Sequence, residues 1–180
     1  MITLGLDMST KKSGYALFDG QNLMDYGLWQ IETEDWRGRV LWMSERLDNF
    51  IKTHKIDQIF IEDVPLSNKN PMTLKMLSAL QGAVLTVCKL NDIKCEFIGV
   101  SQWRSALGLF TGTRNGTKRE EMKKSSIEYA NKTFGLNLVY KSPTSKYNND
   151  DLSDAINVAW SQIRIKPTVQ FGRSRKVVGQ

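Results

Sequence analysis

The chain of 180 residues has no stretch of about eighteen consecutive apolar residues, the length a membrane-spanning helix needs. Its opening, Met1-Ile2-Thr3-Leu4-Gly5-Leu6-Asp7, lacks a basic region and a cleavage-like site, so it does not read as a secretory signal. Cysteine is scarce: Cys88 and Cys95 are the 2 present, with 1 histidine in the whole chain. Two thiols without a Cys or His cluster are too few for a zinc site, and a disulfide does not suit a cytosolic protein. Both cysteines are expected as buried apolar residues. The lone His54 sits between Lys52 and Lys55 and is given no role. No internal repeat is visible. These absences set aside membrane spans, disulfide-stapled domains and zinc modules. A cytoplasmic chain with no membrane partner is expected.

What is present is an ordinary apolar fraction of 41% and a length that suits one domain with a real core. Net charge is +6, and it is unevenly placed. Between Thr111 and Tyr147 there are 8 Lys or Arg against 3 acids. From Arg164 onward come Lys166, Arg173, Arg175 and Lys176 with no acid. Such asymmetry suits contact with nucleic-acid phosphates, although a solvated face and a loose tail would read the same way. Residues 1–166 are expected to fold as one domain, and 167–180 to form a basic, disordered tail.

The patterning predicts a three-stranded antiparallel opening. Ile2 to Leu6 is a short apolar run, Gly14 to Phe18 a second strand, Asp19-Gly20 a turn, and Asn22 to Ile31 a third strand. Helical spacing follows from Trp36 to His54 through Val40, Met43, Leu47, Phe50 and Ile51. Ile56 to Glu62 is a fourth strand, apolar enough for burial on both faces, and Pro65 ends it. Thr73 to Leu90 is a second helix and Lys94 to Ile98 a fifth strand. Ser101 is expected to cap a short helix containing Trp103, Ala106 and Leu107. Gly108 to Gly116 reads as a mobile loop, Lys118 to Phe134 as a basic helix stopped by Gly135, and Ser142 to Asn149 as a turn-forming segment. A last helix opens at Asp150 or Asp151 and runs to about Arg164, with Pro167 beyond it. The pattern is an α/β fold: a mixed sheet with helices on both faces.

Four acids stand where chemistry can use them. Asp7 ends the first strand and Glu62 ends the fourth, although Asp is depleted in strands. If those strands are neighbours, their ends share the sheet edge where α/β folds place their sites. Asp151 and Asp154 are three residues apart, hence on one face of the last helix. Capping would explain Asp151 or Asp150 equally well. It explains Asp154 less well, since that residue leads into the core-like run Ala155-Ile156-Asn157-Val158-Ala159. Carboxylates crowded on one edge repel, and divalent cations held by oxygen ligands remove that cost.

Three motifs in order carry a resemblance. Leu4-Gly5-Leu6-Asp7-Met8-Ser9-Thr10, with Ser13-Gly14-Tyr15 after it, is similar to the first motif of RuvC-type Holliday junction resolvases, in the RNase H-like superfamily. Phe60-Ile61-Glu62-Asp63-Val64 resembles their second motif. Asn149 to Ala159 resembles their last. Leu80-Gln81-Gly82 falls where the family often has a similar segment. The resemblance implies an RNase H-like sheet and a metal-dependent endonuclease for branched DNA. It implies that Asp7, Glu62, Asp151 and Asp154 hold two Mg²⁺ or Mn²⁺ ions, with Asp7 as the bridge. It also implies 5′-phosphate products and a homodimer. The small size and divergent sequence look more like the bacteriophage branch, which would place the protein in the host cytoplasm. Arg114, Lys118, Arg119, Lys123 and Lys124 are expected to grip phosphates beside the site. Rival readings are a sugar kinase or actin-like ATPase, which needs two such domains, a nuclease of ribosomal RNA precursors, and a silent DNA-binding module.

Overall fold

The computed structural model describes residues 1–64, 70–110 and 119–164. Its elements are β1 (Ile2–Asp7), β2 (Lys12–Asp19), β3 (Asn22–Gln30), α1 (Trp36–His54), β4 (Gln58–Glu62), α2 (Pro71–Leu90), β5 (Lys94–Ile98), α3 (Val100–Ala106), α4 (Arg119–Phe134) and α5 (Asp150–Ile163). Local chemistry sets several ends. The Asp35 carboxylate accepts the amides of Arg37 and Gly38 and so opens α1. Asn70 does the same for Met72 and Thr73 at α2, with Pro71 in the first turn. The short helix α3 differs from expectation. Gly99 holds its cap position, no side chain caps it, and Ser101 lies inside the first turn.

The five strands form one sheet in the order β3-β2-β1-β4-β5. β1, β2 and β3 pair antiparallel, while β4 lies parallel to β1 and β5 parallel to β4. This is the expected mixed sheet. Side chains alternate across it. Leu4 and Leu6 of β1, with Ile59 and Ile61 of β4, join one core with Val40, Met43 and Leu47 of α1 and Leu80, Val84 and Cys88 of α2. The opposite face carries Ala16 and Phe18 of β2 against Ala155, Ile156 and Ala159 of α5 and Ile127 and Ala130 of α4. Phe60 joins Trp103 and Val158 beside it. Of the two cysteines, Cys88 is buried as expected, but Cys95 is only half-buried.

Helix α5 lies almost directly on the sheet, and two glycines make that possible. A Cβ on Gly14 would sit 2.0 Å from the Asp151 carbonyl oxygen. One on Gly5 would sit 2.3 Å from the Ala155 carbonyl and 2.7 Å from the Ala159 methyl. These neighbours are backbone and a short side chain, so they cannot step aside. Substitution Gly14→Ala should therefore lift the first turn of α5 and cost about 2–3 kcal/mol or more, read as a lower denaturation midpoint in urea. An unchanged midpoint would contradict this packing.

Candidate active site

Alternation along the strands decides where the acids point. Thr3, Gly5 and Asp7 share one face of β1, and Gln58, Phe60 and Glu62 share the same face of β4. That is the α5 face, because Gly5 meets Ala155 and Phe60 packs with Val158. Leu6 pairs with Ile61 in the parallel register, so one step further Asp7 adjoins Glu62. The close seat of α5 on Gly14 holds Asp151 over the end of β1, and Asp154 follows one turn later. Asn149, not an aspartate, occupies the cap position of α5, and its carboxamide is turned away to accept the Val139 amide. Helix capping therefore does not explain Asp151.

The acids feel one another. Burial, followed by the charges of Glu62, Asp154 and Asp151, raises the Asp7 carboxyl well above the usual carboxylate range. Burial and then Asp154 push Glu62 up to about 7, against the Trp103 hydrogen bond and the Arg104 charge. Asp154 is also raised, chiefly by burial, with Arg104 and Ser126 pulling the other way.

Glu62, Asp150, Asp151 and Asp154 each have a local partner. Lys12 Nζ lies 2.7 Å from Asp151, and Lys123 pairs with Asp150. Trp103 Nε1 donates to Glu62 at 2.9 Å. The buried Arg104 guanidinium reaches Asp154 at 3.3 Å and donates to the Met122 carbonyl at 2.8 Å, lying over the Trp103 ring. Ser126 Oγ donates to Asp154 at 2.5 Å while accepting from Asn157 and Ser153. Asp63, next to Glu62, is instead held by Gln81 at 2.9 Å.

Of these partners, Lys12, Trp103, Arg104 and Ser126 were not foreseen as site residues. A signal existed for Asn157, a polar residue inside the apolar run Ala155 to Ala159, but none for Ser126, which follows Lys123, Lys124 and Ser125. Of the expected phosphate-gripping residues, Arg114 and Lys118 lie outside the described residues. Arg119 is exposed at the start of α4. Lys124 pairs with Glu120 and lies over the Tyr140 ring. Lys123 is drawn toward the acids.

The donors offered at this edge are carboxylate oxygens, which suit Mg²⁺ or Mn²⁺ rather than a soft metal. Among the described residues, no three Asp, Glu, His or Cys side chains already surround a single point. Their mutual repulsion is nonetheless the charge imbalance that a hard cation would relieve.

The model of the family "Crossover junction endodeoxyribonuclease RuvC" matches residues 3–161. This chain belongs to the RuvC family. One member, from Brachyspira hyodysenteriae, is 26% identical over 164 residues, covering 88% of this chain and 91% of its own. Another, from Aliarcobacter butzleri, is 36% identical over 88 residues, 47% of this chain and 56% of its own. Among solved structures, T. thermophilus RuvC in complex with Holliday junction substrate superposes with a TM-score of 0.68 at 15% identity, over 89% of this chain and 91% of that one. The yeast mitochondrial resolvase Ydc2 gives 0.58 at 15%, over 90% and 77%. Both likenesses are of fold. As a RuvC-family member the chain is an endodeoxyribonuclease of a metal-dependent family.

The raised Glu62 fixes a sign for this RuvC-family chain. Glu62 holds its proton to about 7 when folded, against an ordinary 4.5. The folded state therefore binds the proton more tightly. Stability present at low pH is lost as pH climbs between those values. Glu62→Gln keeps an acceptor for Trp103 and removes the charge. In EDTA it should raise stability by on the order of 2 kcal/mol above about pH 8 and change little below about pH 4. Thermal melting across pH reads this, and a destabilised variant at high pH would refute it.

Proposed function

We propose that this chain resolves Holliday junctions, cutting branched DNA at a site built from Asp7, Glu62, Asp151 and Asp154. The observation that carries the reading is the set of mutually repelling carboxylates, drawn from β1, β4 and α5 of a RuvC-family chain, on one sheet edge. These four residues would hold two Mg²⁺ or Mn²⁺ ions. When bound, they would supply activation of a water and stabilisation of the leaving oxygen of a phosphodiester. The chain's own residues do the positioning. Arg104 and Ser126 fix the Asp154 carboxylate, and Trp103 fixes Glu62. Lys12 and Lys123 lie against the acids and are placed to meet the phosphates flanking the cut, with Arg119 and Lys124 of α4 as further phosphate contacts. Arg114 and Lys118, outside the described residues, would add to them.

Symmetric cutting of a junction needs two sites, which a two-fold homodimer supplies. Helix α2 supports that assembly. Leu80, Val84 and Cys88 alone are buried on it, while Met72 and Leu85 are 45% and 50% exposed. It is also the one described helix long and apolar enough to match a membrane span. Apolar side chains left exposed on this helix suit contact with a second copy better than solvent. The protein would then work as a homodimer in the cytoplasm, where its DNA is. Ribosomal RNA precursors are the alternative substrate.

Cleavage of a four-way junction should need Mg²⁺ or Mn²⁺ and stop in EDTA. Asp7→Asn, Glu62→Gln, Asp151→Asn and Asp154→Asn should each abolish cutting yet leave junction binding intact or tighter, since the acids repel phosphate. Parallel assays on flap, duplex and RNA substrates test the choice of substrate. Preferential cutting of RNA, or full activity in EDTA, would sink the reading. Leu85→Glu should turn a dimer into a monomer by light scattering without altering the circular dichroism; a wild-type monomer at every concentration, with and without DNA, would argue against symmetric resolution.

A further inference from the structure

The segment between α4 and α5, residues 135–149, is ordered without belonging to helix or sheet. Three asparagines replace the missing ladder. Asn131 donates to the Leu138 carbonyl at 2.9 Å and accepts the Leu138 amide at 2.8 Å. Asn149 accepts the Val139 amide at 2.9 Å, and its own amide reaches the Val139 carbonyl at 3.0 Å. Buried Asn148 accepts the Lys141 amide at 2.8 Å and donates to the Ser142 carbonyl at 2.7 Å. The segment closes on itself and ends at Asp150, the first residue of α5.

This pinned loop displays an aromatic ring. Tyr147 is 61% exposed and belongs to none of the packed cores, whereas Tyr140 packs at the edge of the α4–α5 core. Two lysines flank the ring, Lys141 at 4.9 Å and Lys146 at 5.4 Å from its centroid. Lys124 of α4 stands over Tyr140 at 5.5 Å, so the basic side of α4 runs on into the loop. An ordered backbone that holds a large ring in water, between two cations, has no use in packing. It does match single-stranded nucleic-acid contacts, in which bases stack on aromatic faces and lysines take the neighbouring phosphates. Two residues, Asn148 and Asn149, separate Tyr147 from Asp150, so the two lie at most about 10 Å apart along the chain, within about three nucleotides of a strand.

We propose that Tyr147 is a stacking platform for an unpaired or frayed base of branched DNA next to the cut, with Lys141 and Lys146 on the phosphates either side. The proposal rests on the branched-DNA reading above and adds to it where the strand is read. The partner is DNA rather than protein because the ring is bracketed by like charges and the loop abuts an endonuclease site.

The test uses the full chain in EDTA, with four-way junctions carrying 2-aminopurine one to four nucleotides from the cleavage position, and an uninterrupted duplex as control. Wild type and Tyr147→Phe should quench the probe at one of these positions. Tyr147→Leu should lose the quenching and weaken junction binding roughly 5- to 100-fold, with duplex binding unchanged. Lys141→Gln with Lys146→Gln should lower the slope of log Kd against log salt by about two on both DNAs. Matching melting curves will show that the exposed substitutions leave the fold alone. Tyr147→Leu binding and quenching like wild type overturns the proposal while the branched-DNA reading stands. Equal loss on duplex and junction also overturns it, because the ring would then be a general contact. Wild type that neither binds a junction in EDTA nor cuts one in Mg²⁺ overturns both.

Discussion

The site depends on how closely α5 can approach the sheet. A helix on a sheet normally stands off by the depth of two side-chain layers, yet here the Asp151 and Ala155 carbonyls come down onto Gly14 and Gly5. That contact lets Asp151 and Asp154, carried on a helix, join Asp7 and Glu62, carried on strands. Small residues continue the seam along α5 with Ala155 and Ala159, both fully buried. Side-chain volume on these two strands is therefore constrained by the chemistry at their ends as well as by the core.

Close approach creates an electrostatic cost. Desolvated carboxylates held together favour protonation, and the raised Asp7, Glu62 and Asp154 carboxyls express that preference. The chain offsets it with its own cations and dipoles. Arg104 and Ser126 answer Asp154, Trp103 answers Glu62, and Lys12 and Lys123 answer Asp151 and Asp150. Strong local hydrogen bonds of this kind also hold each carboxylate in a defined rotamer.

Much of the fold was legible because periodicity is local. The three-stranded opening, α1 from Trp36 to His54, β5 and α4 up to Gly135 could each be read within a short window. The acids at the ends of β1 and β4 were legible for the same reason, since a carboxylate after an apolar run has no local purpose. Asp151 was ambiguous because a first-turn acid has two explanations, and only the backbone of Asn149 removes one. Trp103 and Arg104 were out of reach. They touch acids 41 and 50 residues away, and a Trp-Arg pair on a short helix looks like any core edge with a solvated neighbour. The cap at Ser101 failed because serine suits a first turn as well as a cap position, and Gly99 already supplied the extended backbone there.

The acids also come from opposite ends of the chain, Asp7 from the first strand and Asp151 and Asp154 from the last described helix. During synthesis the N-terminal sheet, with Asp7 and Glu62, emerges long before α5. Until α5 settles onto Gly5 and Gly14, only half of these four carboxylates are in place. With the proposed site, completion of the fold and onset of cleavage would be a single event, and an unfinished copy would carry only the strand-borne half of the acids.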